Sequence, residues 1–165
     1  MPQPSLPPSA PPSVRRRLAA LLYEAILLAG VVFFAGLAFT LATPRNGSAS
    51  PNLLAAWIAL VAGVYFIGFW THGGQTLPMK TWRLRIESAD GGPLTARHAL
   101  VRYLLGWLWF LPPLALHPLA GCSTSATLAL TGAWGVAWAA AARLHPARQF
   151  PHDRIARTRI VALPR

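Results

Sequence analysis

Long apolar runs alternate with short polar segments along the chain. Each run is bounded by charged or turn-forming residues, and the four runs cover residues 18–42, 53–71, 99–119 and 126–142. A helix of about 20 apolar residues crosses the hydrocarbon core of a bilayer. The first three runs are therefore long enough to span, and the fourth lies at the lower limit. The pattern predicts an all-α membrane protein with four transmembrane helices.

The third and fourth runs carry internal features that predict how they pack. Pro112 and Pro113 interrupt the second half of the third run. Proline removes a helical hydrogen bond, which a membrane helix tolerates where neighbouring helices satisfy the freed carbonyl groups. We therefore expect a kink there. In the fourth run, alanines recur every four residues and predict a surface for close helix packing: Ala129, Ala133, Ala137 and Ala141.

The polar segments differ in character. Residues 1–13 are almost entirely Pro, Ser, Ala and Gln, a composition typical of a disordered tail. Residues 72–98 carry a charge every few positions, and within them residues 81–87 alternate apolar and charged side chains with the period of a half-buried strand. A turn follows at residues 90–93. This loop fits a small hairpin and an interfacial segment equally well.

Composition separates the chain from soluble basic proteins. Its 165 residues are 54% hydrophobic and 12% charged, and 15 Lys plus Arg against 4 Asp plus Glu give a formal net charge of +11. A soluble chain this basic would ordinarily bind nucleic acid, but the mean hydropathy of +0.42 argues against that class. No aromatic stacking platform accompanies the arginines either. The single cysteine, Cys122, excludes a disulfide scaffold and an ordinary Cys/His zinc site.

The positive charges predict the orientation of the four spans. Three lie before the first span, four between the second and third, and six after the fourth: Arg15 to Arg17; Lys80, Arg83, Arg85 and Arg97; Arg143, Arg148, Arg154, Arg157, Arg159 and Arg165. With Arg102 just inside the third span, 14 charges lie on one side, and Arg45 alone lies on the other. Cytoplasmic loops are enriched in Lys and Arg. We therefore expect both termini in the cytoplasm and a multi-pass protein of the cytoplasmic (inner) membrane.

One acidic residue, Glu24, stands inside an apolar run. It follows Arg17 by seven positions, nearly two helical turns, so both side chains share one helix face. Arg102 enters the third span from the same side at a comparable depth. An ionisable residue in a span costs roughly 2.5 to 3.5 kcal/mol on insertion scales and is a functional-site hypothesis by default. The apolar region of a signal peptide is shorter than this run and would not contain a glutamate, so we interpret the first run as an uncleaved anchor.

Two interpretations of Glu24 stay open. In the first, Glu24 is a proton or cation site whose protonation is set by burial and by the two arginines. In the second, Glu24 forms a buried pair with Arg17 or Arg102 that fixes helix register. His117, near the outer end of the third span, is a further candidate for a proton relay or an interfacial histidine exposed to the outside.

An ordered set of short motifs resembles the RDD family of small bacterial membrane proteins. The motifs are Arg17 at the start of the first span, an acid seven residues later, Gly74 to Ile86, Asp90-Gly91-Gly92, Arg102, and His152 to Thr158. The resemblance covers residues 14–161. It leaves residues 1–13 as the tail before the membrane domain and residues 162–165 as the end of the basic tail.

The family is named for one arginine and two aspartates. Arg17 is similar to the arginine, and Asp153, followed by Arg154, to the later aspartate. The first aspartate falls on Glu24, which keeps the carboxylate and adds one methylene. The resemblance implies a membrane protein of unknown molecular function for which transport of a ligand is suggested.

These observations lead to two expected functions. The first is a small, oligomeric membrane protein that moves a cation, a proton or another small ligand, with Arg17, Glu24 and Arg102 as its embedded charged site. The second is a scaffold or assembly factor that binds anionic lipid or a partner protein through its basic segments. The sequence shows no catalytic triad, phosphate-binding loop or carboxylate pair, so we expect neither an enzyme nor a cofactor.

Overall fold

The computed structural model describes residues 12–43, 50–144 and 149–164. The expected disordered tail lies outside the described residues except for Pro12 and Ser13. Arg45, Arg148 and Arg165, which enter the charge count above, also lie outside them.

The described residues form a mostly helical protein with one small sheet. Its helices are α1 Val14–Ala42, α2 Pro51–Thr71, α3 Leu77–Thr81, α4 Ala96–Gly106, α5 Leu111–Ala120, α6 Thr124–Leu144 and α7 Pro151–Ile155, and its strands are β1 Leu84–Ser88 and β2 Thr158–Ala162.

The first two apolar runs form the two longest apolar helices. The hydroxyl of Ser13 caps α1 by accepting the amide of Arg16 at 3.4 Å, and Pro51 begins α2, where a missing N–H costs nothing. With 29 and 21 residues, α1 and α2 are long and apolar enough to cross a membrane. Most of their large apolar side chains are exposed on the isolated chain. That exposure is expected where lipid, not water, covers a helix.

The third apolar run is broken, as the prolines predict. A 3₁₀ turn at Trp107–Trp109 separates α4 from α5, and the two helical halves are bent by 44°. Trp134 of α6 donates its indole N–H to the carbonyl of Leu108 at 2.9 Å, so a neighbouring helix satisfies a carbonyl at the break. If the bent pair is one span, the described residues contain three candidate spans.

The fourth run forms α6, but it differs from the prediction in two ways. With 21 residues, α6 is long enough to span. Its composition, however, is less apolar than that of α1 and α2, and it is not among the candidate spans. The alanine stripe predicted to pack is exposed on this chain. The side chains that α6 buries are those of Thr127 and Ala142, so α6 packs through a different face. Spacing alone does not say whether such a stripe meets a helix of the same chain or of another copy.

A small compact unit, which we call the cap, consists of α3, β1, α7 and β2. The two strands pair antiparallel, with Leu84 opposite Ala162 and Ile86 opposite Ile160. The strand predicted in the loop is therefore present, but its partner comes from the C-terminal tail. The hairpin alternative for residues 72–98 is wrong, and the all-α prediction omitted this sheet.

The cap covers one end of the helices. The main cluster of buried apolar residues lies there: Ala20, Trp70, Met79, Leu84, Ile86, Leu94, Ala99 and Ile160. Because α1 begins, α2 ends, α4 begins and α6 ends beside the cap, charged residues near those helix ends are brought into one region.

Candidate functional site

The charged residues singled out from the sequence lie at the junction between the cap and the long helices. Arg17, Glu24, Arg102 and Asp153 are 1%, 8%, 6% and 0% exposed. Arg154 is exposed on the cap surface and takes no part in this cluster. The junction holds two separate sites, one around each carboxylate.

The Glu24 site joins α1, α2 and the cap. Tyr65 donates its hydroxyl to Oε1 of Glu24 at 2.7 Å, and Thr76 donates its hydroxyl to Oε2. Within the described ranges, no ion pair joins Glu24 to Arg17 or Arg102. The paired interpretation of Glu24 is therefore not what these residues form. Glu24 meets neutral hydroxyl donors instead.

The local sequence explains why Thr76 is in place. Thr76 is the N-cap of α3, and Pro78 follows in the first turn, where proline is favoured. Its hydroxyl oxygen accepts the amide of Met79 at 3.5 Å, so its own proton is free to be donated to Glu24. The Thr-x-Pro spacing signals such a cap. Tyr65 had a weaker signal, a hydroxyl inside an uncharged apolar run.

The Asp153 site joins α4, α7 and β2. Arg102 forms an ion pair with Oδ1 of Asp153 through Nη1, and the same nitrogen donates to the hydroxyl of Thr158 at 3.0 Å. His152 Nε2 lies 3.2 Å from Oδ1, and the amide of Phe150 donates to Oδ2 at 3.3 Å. Burial alone would raise the pKa of Asp153, but the charge of Arg102 and the contact with His152 hold it well below its usual range.

His152 is positioned by aromatic neighbours. Trp138 of α6 donates its indole N–H to Nδ1 of His152 at 3.3 Å. Because Nδ1 accepts, the neutral ring carries its proton on Nε2, which points at Asp153. The rings of Trp138 and Phe150 are nearly parallel to the imidazole, at interplanar angles of 10° and 9°. The stack connects α6 to the Asp153 site.

The two buried arginines face aromatic rings. The guanidinium carbon of Arg17 lies 5.8 Å from the centre of the Phe150 ring, and that of Arg102 lies 5.0 Å from the Trp70 ring. Both distances are within the range of a cation–π interaction. The arginines thus connect helices α1 and α4 to the cap and to α2, and Arg102 directs its hydrogen bonds to Asp153 and Thr158.

The other candidate from the sequence, His117, lies away from this junction. Its Nδ1 is 3.1 Å from the hydroxyl of Thr127, so it connects α5 to α6. In the part of the chain that the structure describes, no group of three or more His, Cys, Asp and Glu side chains could hold a metal ion.

Apolar helices of spanning length, joined to a cap through buried charges, define a helical membrane protein. The particular family follows from comparison. A family model, that of the RDD family, matches residues 11–157, which is most of the chain. The chain therefore belongs to the RDD family, as the motif order predicted. A search of curated proteins and a search of solved structures found no match.

Proposed function

We propose that this protein moves a cation or a proton across the bacterial inner membrane, with Glu24 as the acid that takes up the transported charge. The observation that carries the proposal is the set of partners around Glu24. A buried carboxylate that accepts from two hydroxyl groups can bind a proton or a cation without breaking an ion pair. The hydroxyl protons of Tyr65 and Thr76 can also rotate away from Glu24. The lone pairs of the same oxygens then face a bound cation.

Arg17 and Arg102 serve this proposal as positioning residues. Both are buried beside aromatic rings and connect the long helices to the cap. Because Thr76 belongs to the cap, a fixed cap holds one of the two hydroxyls against Glu24. We infer that the arginines keep the Glu24 site in shape and do not themselves bind the transported ion.

Four spans with both termini in the cytoplasm remain our proposed topology. The cap contains the loop between α2 and α4 and the segment after α6, and α1 begins beside it. This arrangement supports an even number of crossings, with α6 as the fourth. The exposed basic residues of the cap then lie on the cytoplasmic side, where positive charge is favoured.

An oligomer is part of the same proposal. Four helices enclose little volume, so a pathway between protomers is favoured over one inside a single chain. The exposed alanine stripe of α6 supplies a face on which a second copy can pack closely in lipid.

A second candidate function is a scaffold without transport, bound to anionic lipid or to a partner protein. The exposed basic side chains near the cap favour it: Lys80, Arg83, Arg85, Arg97, Arg154 and Arg157. Each Lys or Arg near an anionic surface contributes about 1 kcal/mol.

Flux in liposomes separates the two functions. Purified wild type, Glu24→Gln and the control Glu87→Gln are reconstituted at equal density, and proton and monovalent-cation flux is followed with entrapped dyes. Glu87 is a cap carboxylate paired with Arg159 at 3.5 Å. Transport predicts flux in wild type and in the control, and its loss in Glu24→Gln. Absence of flux from the wild type contradicts transport and leaves the scaffold.

A further inference from the structure

The cap contains one backbone arrangement twice. In each copy a five-residue helix is followed by an arginine with positive φ and then by a five-residue strand. The φ angles are 50° at Arg83 and 52° at Arg157. Few residues other than glycine adopt this conformation, so its recurrence at the same place is informative. Arg157 follows Arg83 by 74 residues.

Hydrogen bonds repeat with the same 74-residue shift. The amide of Leu163 donates to the carbonyl of Arg83 at 2.8 Å, and the amide of Ala89 donates to the carbonyl of Arg157 at 2.9 Å. If each residue is replaced by the one 74 positions away in the other copy, the first bond becomes the second and the second becomes the first. The two copies are therefore related by a two-fold axis and not by a simple translation along the chain.

The strand pairing gives the position of the axis. Ile86 is paired with Ile160, its own counterpart, so the axis passes through this pair. Outside the strands, Gln75 donates to the carbonyl of Leu84 at 2.6 Å, and its counterpart Gln149 donates to the carbonyl of Ile160 at 3.2 Å. Each glutamine thus bonds the backbone of its own copy's strand.

The helices follow the same order in both halves. Unit 1, residues 13–89, runs from α1 through α2 and α3 to β1, and unit 2, residues 95–163, runs from α4 and α5 through α6 and α7 to β2. Ser13 and Thr95 cap the first helix of each unit, and each hydroxyl accepts the amide three residues later at 3.4 Å. The break in the third span lies in unit 2.

Each unit has one buried carboxylate at the start of its short helix. Thr76 and Phe150 are counterparts and are the N-cap residues of α3 and α7. Glu24 accepts from the hydroxyl of Thr76, and Asp153 accepts from the amide of Phe150. The two acids reach these N-cap residues from different elements, since Glu24 lies on α1 and Asp153 lies on α7 itself.

We propose that Asp153 is a second acid site, the counterpart of the Glu24 site in the other unit. Its ion pair with Arg102 keeps it closed, which means that the carboxylate does not take up a proton while Arg102 is bound to it. The proposal rests on the proposed function only in treating the Glu24 site as open, that is, as able to take up a proton or a cation. Arg102 from α4 and His152 from α7 face the carboxylate of Asp153, with the hydroxyl of Thr158 bound to the same arginine nitrogen. From α1, the guanidinium of Arg17 lies over the ring of Phe150, the residue whose amide donates to Asp153.

The electrostatics agree with a site closed by charge. Arg102 and His152 lower the pKa of Asp153 against a burial that would raise it. Without the arginine, burial acts with less opposition, and the carboxyl group of Asp153 takes up a proton under milder conditions. One substitution at Arg102 is then enough to give unit 2 a protonatable acid.

Infrared titration of the full chain in lipid nanodiscs tests this proposal. Every sample carries Glu24→Gln, and the carbonyl band of protonated Asp153 is identified by its loss in Asp153→Asn. With Arg102 intact, the band develops only in strong acid. Arg102→Gln should move its midpoint upward by roughly 2 pH units or more. Arg97→Gln, which removes an exposed arginine of α4, should leave the midpoint unchanged.

Arg102→Lys keeps the test decisive if circular dichroism shows that Arg102→Gln does not fold. A lysine keeps the charge but lacks the guanidinium fork that binds Asp153 and Thr158 together, so a smaller upward movement is expected. A midpoint that stays in place in the folded Arg102 variants overturns the proposal, as does a protonated Asp153 at neutral pH with Arg102 present. Because the titration needs no flux, a wild type without flux defeats the proposed function and leaves this result to stand separately.

Discussion

Glu24 and Asp153 are both buried carboxylates at the N-cap of a short cap helix, but their donors differ. Glu24 accepts from two neutral hydroxyl groups, whereas Asp153 accepts from a guanidinium, an imidazole and a backbone amide. A carboxylate held by neutral donors can gain a charge partner from outside. A carboxylate already paired with a buried arginine cannot do so without leaving that arginine unpaired, at a cost of several kcal/mol. Under the proposed function, Glu24 is the acid that takes up charge, whereas the ion pair with Arg102 makes Asp153 important for stability.

The largest expected effect is on the stability of the Asp153 site. Asp153→Asn removes the charge that faces Arg102, which is 6% exposed and cannot turn to water. Loss of one partner of a buried pair typically costs about 3 to 5 kcal/mol. Unfolding by denaturant in detergent micelles measures this loss.

Glu87→Gln is the matched control for that measurement. The pair of Glu87 with Arg159 lies at the surface, with side chains 20% and 41% exposed, and such pairs contribute about 0 to 1 kcal/mol. Equal stability of wild type and Asp153→Asn would contradict the assignment of Asp153 to stability.

Acid should destabilise the protein through the same carboxylate. The pKa of Asp153 is lower in the folded chain than its ordinary value of 3.8. A group of this kind stabilises the fold above its unfolded pKa, and the stabilisation is lost as the pH falls through and below that value. We expect a loss on the order of 2 kcal/mol between about pH 5 and pH 2. Asp153→Asn should flatten this part of the stability profile, and an unchanged profile would show that another group is responsible.

Two substitutions at Glu24 should distinguish the role of its hydrogen-bond acceptors from the role of its charge. Both should reduce stability less than Asp153→Asn does. Glu24→Leu leaves the hydroxyls of Tyr65 and Thr76 without their acceptor, which costs about 2 kcal/mol. Glu24→Gln keeps an amide oxygen as acceptor and should cost less than about 1 kcal/mol. Denaturant unfolding of both variants checks the order. If Gln were as damaging as Leu, the negative charge of Glu24 would itself hold the fold together.

Tyr65→Phe should cost less stability than Glu24→Leu. It removes one hydrogen bond to Glu24 and keeps the ring, which packs against Phe66 and Phe69 at centroid distances of 5.2 and 4.9 Å. We expect a loss of about 1 kcal/mol together with reduced flux, because the retained acid has lost one donor. Unaltered flux in this variant would remove Tyr65 from the site.

The sequence predicted those parts of the fold that depend on local pattern. Long apolar runs predicted α1 and α2, and the prolines predicted the bend of the third span. Helices of five residues, such as α3 and α7, are too short for a periodic signal. Strand β2 gave no usable signal because its partner Leu84–Ser88 lies about 70 residues earlier and pairing is decided by the folded cap.

The charged residues of the two sites were predictable from the sequence, but their hydroxyl and imidazole partners and their pairings were not. Burial of a charge within an apolar run identified Glu24, and the charge near the start of the third run identified Arg102. Their depths suggested a contact between them, but depth does not tell which helix faces which. Asp153 was known only through its family motif, and the ion pair with Arg102 arises because α7 returns to the start of α4.

Flux through Glu24→Asp and Glu24→Gln, measured side by side in liposomes, tests the central claim most directly. Aspartate keeps the ionisable carboxyl group on a side chain one methylene shorter, whereas glutamine keeps the length of glutamate and loses the ionisable group. We predict that Glu24→Asp retains most of the wild-type flux and that Glu24→Gln loses it while both stay folded. Equal flux through the two variants would contradict the claim that the carboxyl group of Glu24 takes up the transported charge.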